Sequence, residues 1–282
     1  MRRVFFILMV VFVTGFKPAH AETIRFIPLP MQNRETVFGQ FKPMTDYLEQ
    51  RLEVKIVYDY CDSYADVLER FRQSRVDLAY LGPLPYVELR ATFAHAEPIV
   101  RFCESSGRAE YTCALVSFMD NVFDPQSAHH RRIALTQPFS TCSYLSTSRL
   151  MHWMGSNIEQ NLYRYLKKHD EVALSVIRGD FDAGGLKTAI ACKYAHMGLN
   201  IVAETLPLPG FALVGNTRTL APQRIAEIRD VLTALAPDGP DGVLLQAWGN
   251  NIRHGAVPAA DADYQAVREM IEAIQIPMKG NF

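Results

Sequence analysis

The chain has 282 residues, 29 of them basic and 30 acidic, and its formal net charge is −1 at pH 7. This balance excludes the strongly basic surface by which proteins bind nucleic acid or an anionic membrane. The length suits one large domain or two lobes of ordinary size.

The N-terminus is predicted to be a secretory signal peptide covering residues 1–21. Arg2 and Arg3 precede an apolar run at 4–13, and Ala-His-Ala at 19–21 provides the small residues that signal peptidase recognises. The run is too short for a transmembrane helix, which needs about 20 residues. A buried N-terminal helix is the alternative. Because Glu22 and not Cys follows the cleavage point, we expect a soluble periplasmic protein without a lipid anchor.

The rest of the chain alternates β-rich runs with amphipathic helical runs, which predicts an α/β protein with parallel strands. The predicted strands cover residues 23–29, 54–60, 77–81, 99–102, 111–118, 131–136, 182–184, 200–205 and 211–214. The predicted helices cover residues 36–52, 64–74, 85–94, 141–154, 158–167, 171–177, 222–235, 242–248 and 262–274.

The chain has five cysteines, so an oxidising compartment would leave at least one unpaired within the chain. Cys103 and Cys113 flank a polar stretch that is typical of a hairpin turn, and we predict a disulfide between them, with Cys142 bonded to neither. A pair between Cys142 and Cys192 is an alternative role for those two residues. No Cys or His spacing typical of a metal site occurs, and we expect neither a metal nor a cofactor.

A run of small polar residues at 140–143 lies between a predicted strand and a predicted helix. Ser and Thr commonly cap a helix N-terminus, and one residue is sufficient for that purpose. Free amides and the helix dipole also make a helix N-terminus an anion site. Four such residues together favour anion binding.

Several segments, in this order and spacing, resemble the phosphonate- and phosphate-type solute-binding proteins of ABC transporters. They are Met-Thr-Asp-Tyr-Leu-Glu at 44–49, Ser-Tyr-Ala-Asp-Val-Leu at 63–68, Val-Asp-Leu-Ala-Tyr-Leu-Gly-Pro at 76–83, Ser-Thr-Cys-Ser-Tyr-Leu at 140–145, Arg-Gly-Asp-Phe-Asp-Ala-Gly at 178–184 and Leu-Pro-Leu-Pro-Gly at 206–210. The resemblance implies a type II periplasmic-binding fold, in which two α/β lobes joined by a two-strand hinge close on a ligand. Lobe 1 would then comprise residues 22–117 and 206–282, and lobe 2 residues 118–205.

The resemblance also implies a set of ligand-binding residues. Ser140 and Thr141 match positions that hold the phosphonate oxygens, and Tyr64 and Tyr111 match tyrosines that donate to the ligand. His169 matches a pocket histidine. Without the resemblance, a lone histidine at this place would be read as a solvated residue at a helix end.

The sequence departs from the family pattern at several of these positions. Cys142 replaces a serine in the anion-binding run. Two acidic positions that hold the amino group of aminoalkylphosphonates fall on Ala189 and Phe211. We therefore expect a ligand without an amine, such as phosphate, phosphite or a simple phosphonate. Lys187 would add positive charge there or, equally, be an ordinary surface lysine.

Two other functions compete with import. Cys61 and Cys142 as cleft thiols would suit a soft oxyanion such as arsenite, which some relatives sense for a membrane kinase. Ser140, His169 and Asp182 could be drawn as a hydrolase triad, but no G-x-S-x-G elbow surrounds the serine. We therefore predict a monomeric binding protein and not an enzyme, with an ABC permease or a sensor kinase as its partner.

Overall fold

The computed structural model describes residues 21–121, 123–272 and 274–282. All but the last residue of the predicted signal peptide therefore lie outside the described residues. In the described part of the chain, none of the helices combines the length and apolar character needed to cross a bilayer.

The described residues form strands and helices in the alternating order expected from the sequence. The strands are β1 (Thr23–Pro28), β2 (Lys55–Tyr58), β3 (Leu78–Leu81), β4 (Ala96–Phe102), β5 (Glu110–Tyr111), β6 (Cys113–Phe118), β7 (Arg132–Leu135), β8 (Leu162–Tyr165), β9 (Ala183–Lys187), β10 (Leu199–Glu204), β11 (Leu208–Pro209), β12 (Ala212–Asn216) and β13 (Ala256–Pro258). The helices are α1 (Arg34–Leu52), α2 (Tyr64–Arg72), α3 (Pro83–Thr92), α4 (Tyr144–Trp153), α5 (His169–Ile177), α6 (Thr188–Tyr194), α7 (Pro222–Thr233), α8 (Gly242–Gln246) and α9 (Gln265–Glu272).

The first sheet contains strands from both ends of the chain, in the order β13-β4-β12-β3-β1-β2. β1 pairs in parallel with β2 and β3, whereas β12 inserts antiparallel between β3 and β4. Its helices pack around a large apolar cluster that includes Phe26, Tyr80 and Leu213. The returning strand β12 therefore lies at the centre of the first lobe.

The second sheet, β10-β6-β9-β7-β8, comes from the middle of the chain and carries apolar clusters on its two faces. Between the sheets, β5 and β11 form a short antiparallel pair in which Tyr111 lies opposite Leu208. The molecule thus has the two α/β lobes that the sequence predicted.

The predicted hairpin between residues 99–102 and 111–118 does not form. β4 pairs with β12 and β13 in the first sheet, whereas β6 pairs with β9 and β10 in the second. The predicted Cys103–Cys113 disulfide is therefore wrong. Cys113 is instead bonded to Cys142, with the two Cα atoms 5.0 Å apart. Because Cys192 is a free thiol, the alternative Cys142–Cys192 pair is also wrong.

The predicted helix at residues 158–167 is wrong too. A short 3-10 turn at Ile158–Gln160 leads into β8, which pairs in parallel with β7. Tyr163 is buried against the second core while the next residue, Arg164, is exposed. This alternation is typical of an edge strand with one buried face.

The last residues of the chain contact the second lobe, which the sequence did not predict. Asn281 accepts a hydrogen bond from the Tyr163 amide (2.7 Å) and donates to the Asn161 carbonyl (2.9 Å). The Tyr165 hydroxyl donates to the Pro277 carbonyl at 2.7 Å. The tail after α9 therefore makes a third connection between the lobes.

Candidate anion-binding site

A narrow cavity lies between the two lobes. It has a volume of about 230 Å³, part of which is continuous with solvent. Its walls are formed by Leu29, Tyr64, Gly82, Pro85, Tyr111, Ser140, Thr141, Cys142, His169, Lys187 and Phe211. This volume is below the roughly 300–1,000 Å³ of sites for drug-sized molecules, so the site suits a small ligand.

The six residues predicted to bind the ligand all line this cavity. They are Tyr64, Tyr111, Ser140, Thr141, Cys142 and His169. Tyr111 belongs to the short strand pair between the sheets, and the other five lie on both sides of the cleft. Their ligand-binding roles stay a prediction.

Four helices of nine or ten residues direct their N-termini at the cavity. Tyr64 begins α2, Gly82 precedes α3, residues 140–143 precede α4, and His169 begins α5. Each follows the carboxyl end of a strand, so the topology brings these four helix starts together. The positive ends of the four helix dipoles favour an anion there.

The 140–143 segment has amides available to a ligand. The Ser140 amide donates to the Gln137 carbonyl, and the Ser143 amide to the Ser140 carbonyl, each at 3.0 Å. Among the described residues, the amides of Thr141 and Cys142 have no acceptor. Ser143 occupies the N-cap position but makes no side-chain capping bond. The segment is therefore not a simple cap, and two of its amides are available to another acceptor.

The two tyrosines, Tyr64 and Tyr111, are buried hydrogen-bond donors. Within the described part of the molecule, the Tyr111 hydroxyl lies near the Thr141 side chain but makes no hydrogen bond of good geometry. Burial raises the pKa of both Tyr64 and Tyr111 above the usual value, so both hydroxyls stay protonated at neutral pH. An unpaired buried hydroxyl is costly, which favours a ligand oxygen as its acceptor.

His169 is a neutral donor. Its Nδ1 accepts a hydrogen bond from the Lys187 amide at 3.2 Å, which leaves the proton on Nε2. Burial, and secondarily the charge of Lys187, lowers the pKa of His169 to about 4. The imidazole therefore offers an uncharged N–H at neutral pH.

Lys187 is buried, with 2% of its side chain exposed, so the surface-lysine alternative is wrong. Its Nζ donates to Glu104 Oε1 at 2.6 Å and to Asn251 Oδ1 at 3.3 Å. The ammonium lies 5.4 Å from the ring centre of Tyr111 and 5.3 Å from that of Phe211. The residue thus brings a compensated positive charge to the wall of the cavity.

Two hydrogen bonds link helix starts of the first lobe to side chains of the second. The Leu84 amide donates to Thr141 Oγ1 at 3.0 Å. The Tyr64 amide donates to Gln137 Oε1 at 2.9 Å, and Gln137 is itself held by a bond to the Lys167 carbonyl. Sequence reasoning missed Gln137, whose only signal was its position shortly after a strand end.

The thiols do not form the soft-ligand site considered from the sequence. Cys142 is in the disulfide with Cys113. Cys61 Sγ lies 3.6 Å from the Ser63 carbonyl and outside the cavity wall, and burial raises its pKa to about 11. Across the described residues there is no cluster of His, Cys, Asp or Glu suited to a metal ion.

The hydrolase triad is not assembled either. Asp182 lies immediately before β9, whereas Lys187, the last residue of β9, lines the cavity. Asp182 Oδ2 accepts from the Arg132 amide at 2.8 Å. The aspartate is therefore at the opposite end of the sheet from Ser140 and His169.

Residues 26–264 match the family model for the periplasmic substrate-binding protein of phosphonate ABC transporters. The chain belongs to this family. It is a phosphonate-type periplasmic substrate-binding protein of an ABC transporter, which confirms the family and the function predicted from the sequence motifs.

Known relatives agree with this assignment. The chain is 24% identical to the phosphate-import protein PhnD of Mycolicibacterium smegmatis, over 89% of this chain and 85% of that protein. It resembles the structure of PhnD1 from Prochlorococcus marinus in complex with methylphosphonate, with a TM-score of 0.77, 17% identity, and coverage of 89% and 98% of the two chains. A phosphonate-transporter binding protein from Pseudomonas aeruginosa gives a TM-score of 0.75 at 17% identity, with coverage of 89% and 86%. These neighbours confirm the type II periplasmic-binding fold.

Proposed function

We propose that this protein captures a small tetrahedral oxyanion without an amino group, such as phosphate, phosphite or a simple phosphonate. The convergence of four helix N-termini on one cavity supports this proposal most strongly. Ser140, Thr141 and the Cys142 amide bind oxygens from the second lobe. Tyr64, Tyr111 and the Nε2–H of His169 donate from the other walls. The similarity to a phosphate-import protein and to a structure in complex with methylphosphonate fits this ligand class.

The same walls disfavour an aminoalkylphosphonate. Neither Asp nor Glu is among the residues that line the cavity, and Phe211 occupies one of the two positions expected to carry an acid. Ala189 occupies the other and faces a neighbouring cavity. The nearby carboxylate of Glu104 already binds Lys187 at 2.6 Å. A ligand ammonium would therefore be desolvated without a partner, close to another cation.

Calorimetric titration with ethylphosphonate and 2-aminoethylphosphonate tests this selectivity, because the two ligands differ only in the amine. We expect the amine-free ligand to bind at least about tenfold more tightly, since an unpaired buried charge costs well over 1.4 kcal/mol. Phosphite and phosphate serve as smaller references. Tight binding of the amino compound alone would contradict the proposal.

Ligand capture is proposed to require closure of the lobes about the two crossings between the sheets, from β5 to β6 and from β10 to β11, with β6 assigned to the second lobe because it pairs in the second sheet. The bonds from Leu84 to Thr141 and from Tyr64 to Gln137 would form on closure. Small-angle scattering should then show a decrease in the radius of gyration when the ligand is added. Unchanged scattering at saturating ligand would count against closure.

Delivery to an ABC importer is proposed to follow export and cleavage after residue 21, as a monomer without a lipid anchor. Intact mass of periplasmic material should correspond to a chain that begins at Glu22. The sensor-kinase alternative loses the thiol pair that motivated it, because Cys142 is in a disulfide.

A further inference from the structure

Lys187 is the cationic residue among those that line the cavity, and its bonding is incomplete. An ammonium group has three N–H donors. Two of them point to Glu104 and Asn251, both from the first lobe, and in the described part of the chain the third has no acceptor. A buried donor at the wall of an anion cavity is placed to bond an anion oxygen.

The charge of Lys187 also acts on His169, which lines the same cavity. Its backbone amide bonds the His169 ring, and its ammonium contributes to the lowered pKa of that histidine. The rings of Tyr111 and Phe211, which line the cavity, lie within 5.5 Å of the ammonium, and Lys187 also lines the neighbouring cavity beside Glu104. Electrostatic interactions between such groups are stronger than at an exposed surface.

We propose that Lys187 selects ligands by their charge. Its third N–H binds an oxygen of a doubly charged anion, which favours dianionic phosphonates over monoanionic sulfonates. Glu104 opposes this effect because it already compensates much of the ammonium charge. The proposal rests on the proposed function, and specifies which ionisation state of the oxyanion the site takes.

The two partners of the ion pair should then act in opposite directions on selectivity. Removing the ammonium takes away a charge-assisted bond that the dianion uses most. Removing the carboxylate leaves the ammonium uncompensated and raises the positive charge that the ligand meets. A salt bridge that only holds the lobes together would instead affect both ligands equally.

The experiment compares methylphosphonate with methanesulfonate by calorimetry at about pH 8.5, where the first is a dianion and the second a monoanion of similar shape. In Lys187→Met, the ratio of the two affinities should fall about ten- to a hundredfold, the value of one charge-assisted bond. In Glu104→Gln, the ratio should rise by about threefold or more. The double variant Lys187→Met/Glu104→Gln removes both charges and should show the same affinity ratio as Lys187→Met. It replaces Lys187→Met in the comparison if that single variant folds poorly.

Arg108→Ala is the matched control, because Arg108 is a nearby cation that lines the neighbouring cavity and not this one. Its affinity ratio should stay at the wild-type value. An unchanged ratio in all three Lys187 and Glu104 variants, or an equal fall with Lys187→Met and Glu104→Gln, would overturn the role of Lys187. If the wild-type protein bound neither methylphosphonate nor phosphate, the proposed function itself would fail.

Discussion

The Cys113–Cys142 disulfide joins the first residue of β6 to the segment that precedes α4. It therefore attaches the 140–143 segment to the second sheet close to the short strand pair between the lobes. The bridged residues are 29 apart in sequence. For a loop of this length, the chain-entropy model gives a stabilisation of about 3.6 kcal/mol at 25 °C.

Replacing both cysteines by alanine should lower the melting temperature by about 7–14 °C, since 1 kcal/mol corresponds to about 2–4 °C in a chain of this size. The loss of ligand affinity should be smaller than the loss of stability, because Ser140 and Ser143 keep their backbone bonds. Calorimetric melting of Cys113→Ala/Cys142→Ala measures the effect, with Cys192→Ala, an exposed free thiol, as the control. A double variant that melts within about 2 °C of the control would refute this reasoning.

Three further effects can be measured on purified protein. Buried His169 has a pKa of about 4, so between about pH 6.5 and 4 the unfolded state binds a proton that the folded state does not. The unfolding free energy should therefore decrease as pH falls through this range, by up to about 1.4 kcal/mol per pH unit. His169→Gln should flatten that slope in urea melts. Asp77 is buried, but bonds from Arg25 lower its pKa, so Asp77→Asn should cost about 1–3 kcal/mol at pH 7 and progressively less as pH falls below about 4. Asn281→Ala removes two side-chain bonds to the second lobe and should cost about 1–2 kcal/mol in urea unfolding, whereas Lys279→Ala should cost nothing measurable.

Local patterns in the sequence predicted much of the architecture. The helical spacing at 36–52 and the strand at 77–81 match α1 and β3 closely, because α1 buries residues at helical spacing and β3 is a continuous buried apolar run. The cavity residues were located by the resemblance to the family, and the structure explains why most of them meet: all but Tyr111 lie at helix starts that follow strand ends. This is why Tyr64, Ser140 and His169 lie together although they are far apart in the chain.

The missed features depend on contacts between distant residues. β4 resembles half of a hairpin, but its partner β12 begins at Ala212, more than 100 residues later. That pairing separates Cys103 from Cys113 and leaves Cys113 facing Cys142. The Lys187–Glu104 pair forms across the two lobes, and no local pattern indicates the burial of a lysine at the end of a strand.

The central claim is that hydroxyl and amide donors at the helix starts hold the oxyanion, and a calorimetric titration of methylphosphonate into Thr141→Ala/Tyr111→Phe tests it directly. Donors vanish from two walls, so the affinity should fall about 10²- to 10⁴-fold, at about 1.5–3 kcal/mol for each charge-assisted bond. Ser143→Ala is the matched control, because its buried hydroxyl lies in the same segment but does not line the cavity. Wild-type affinity in a double variant that circular dichroism shows to be folded would place the binding site elsewhere.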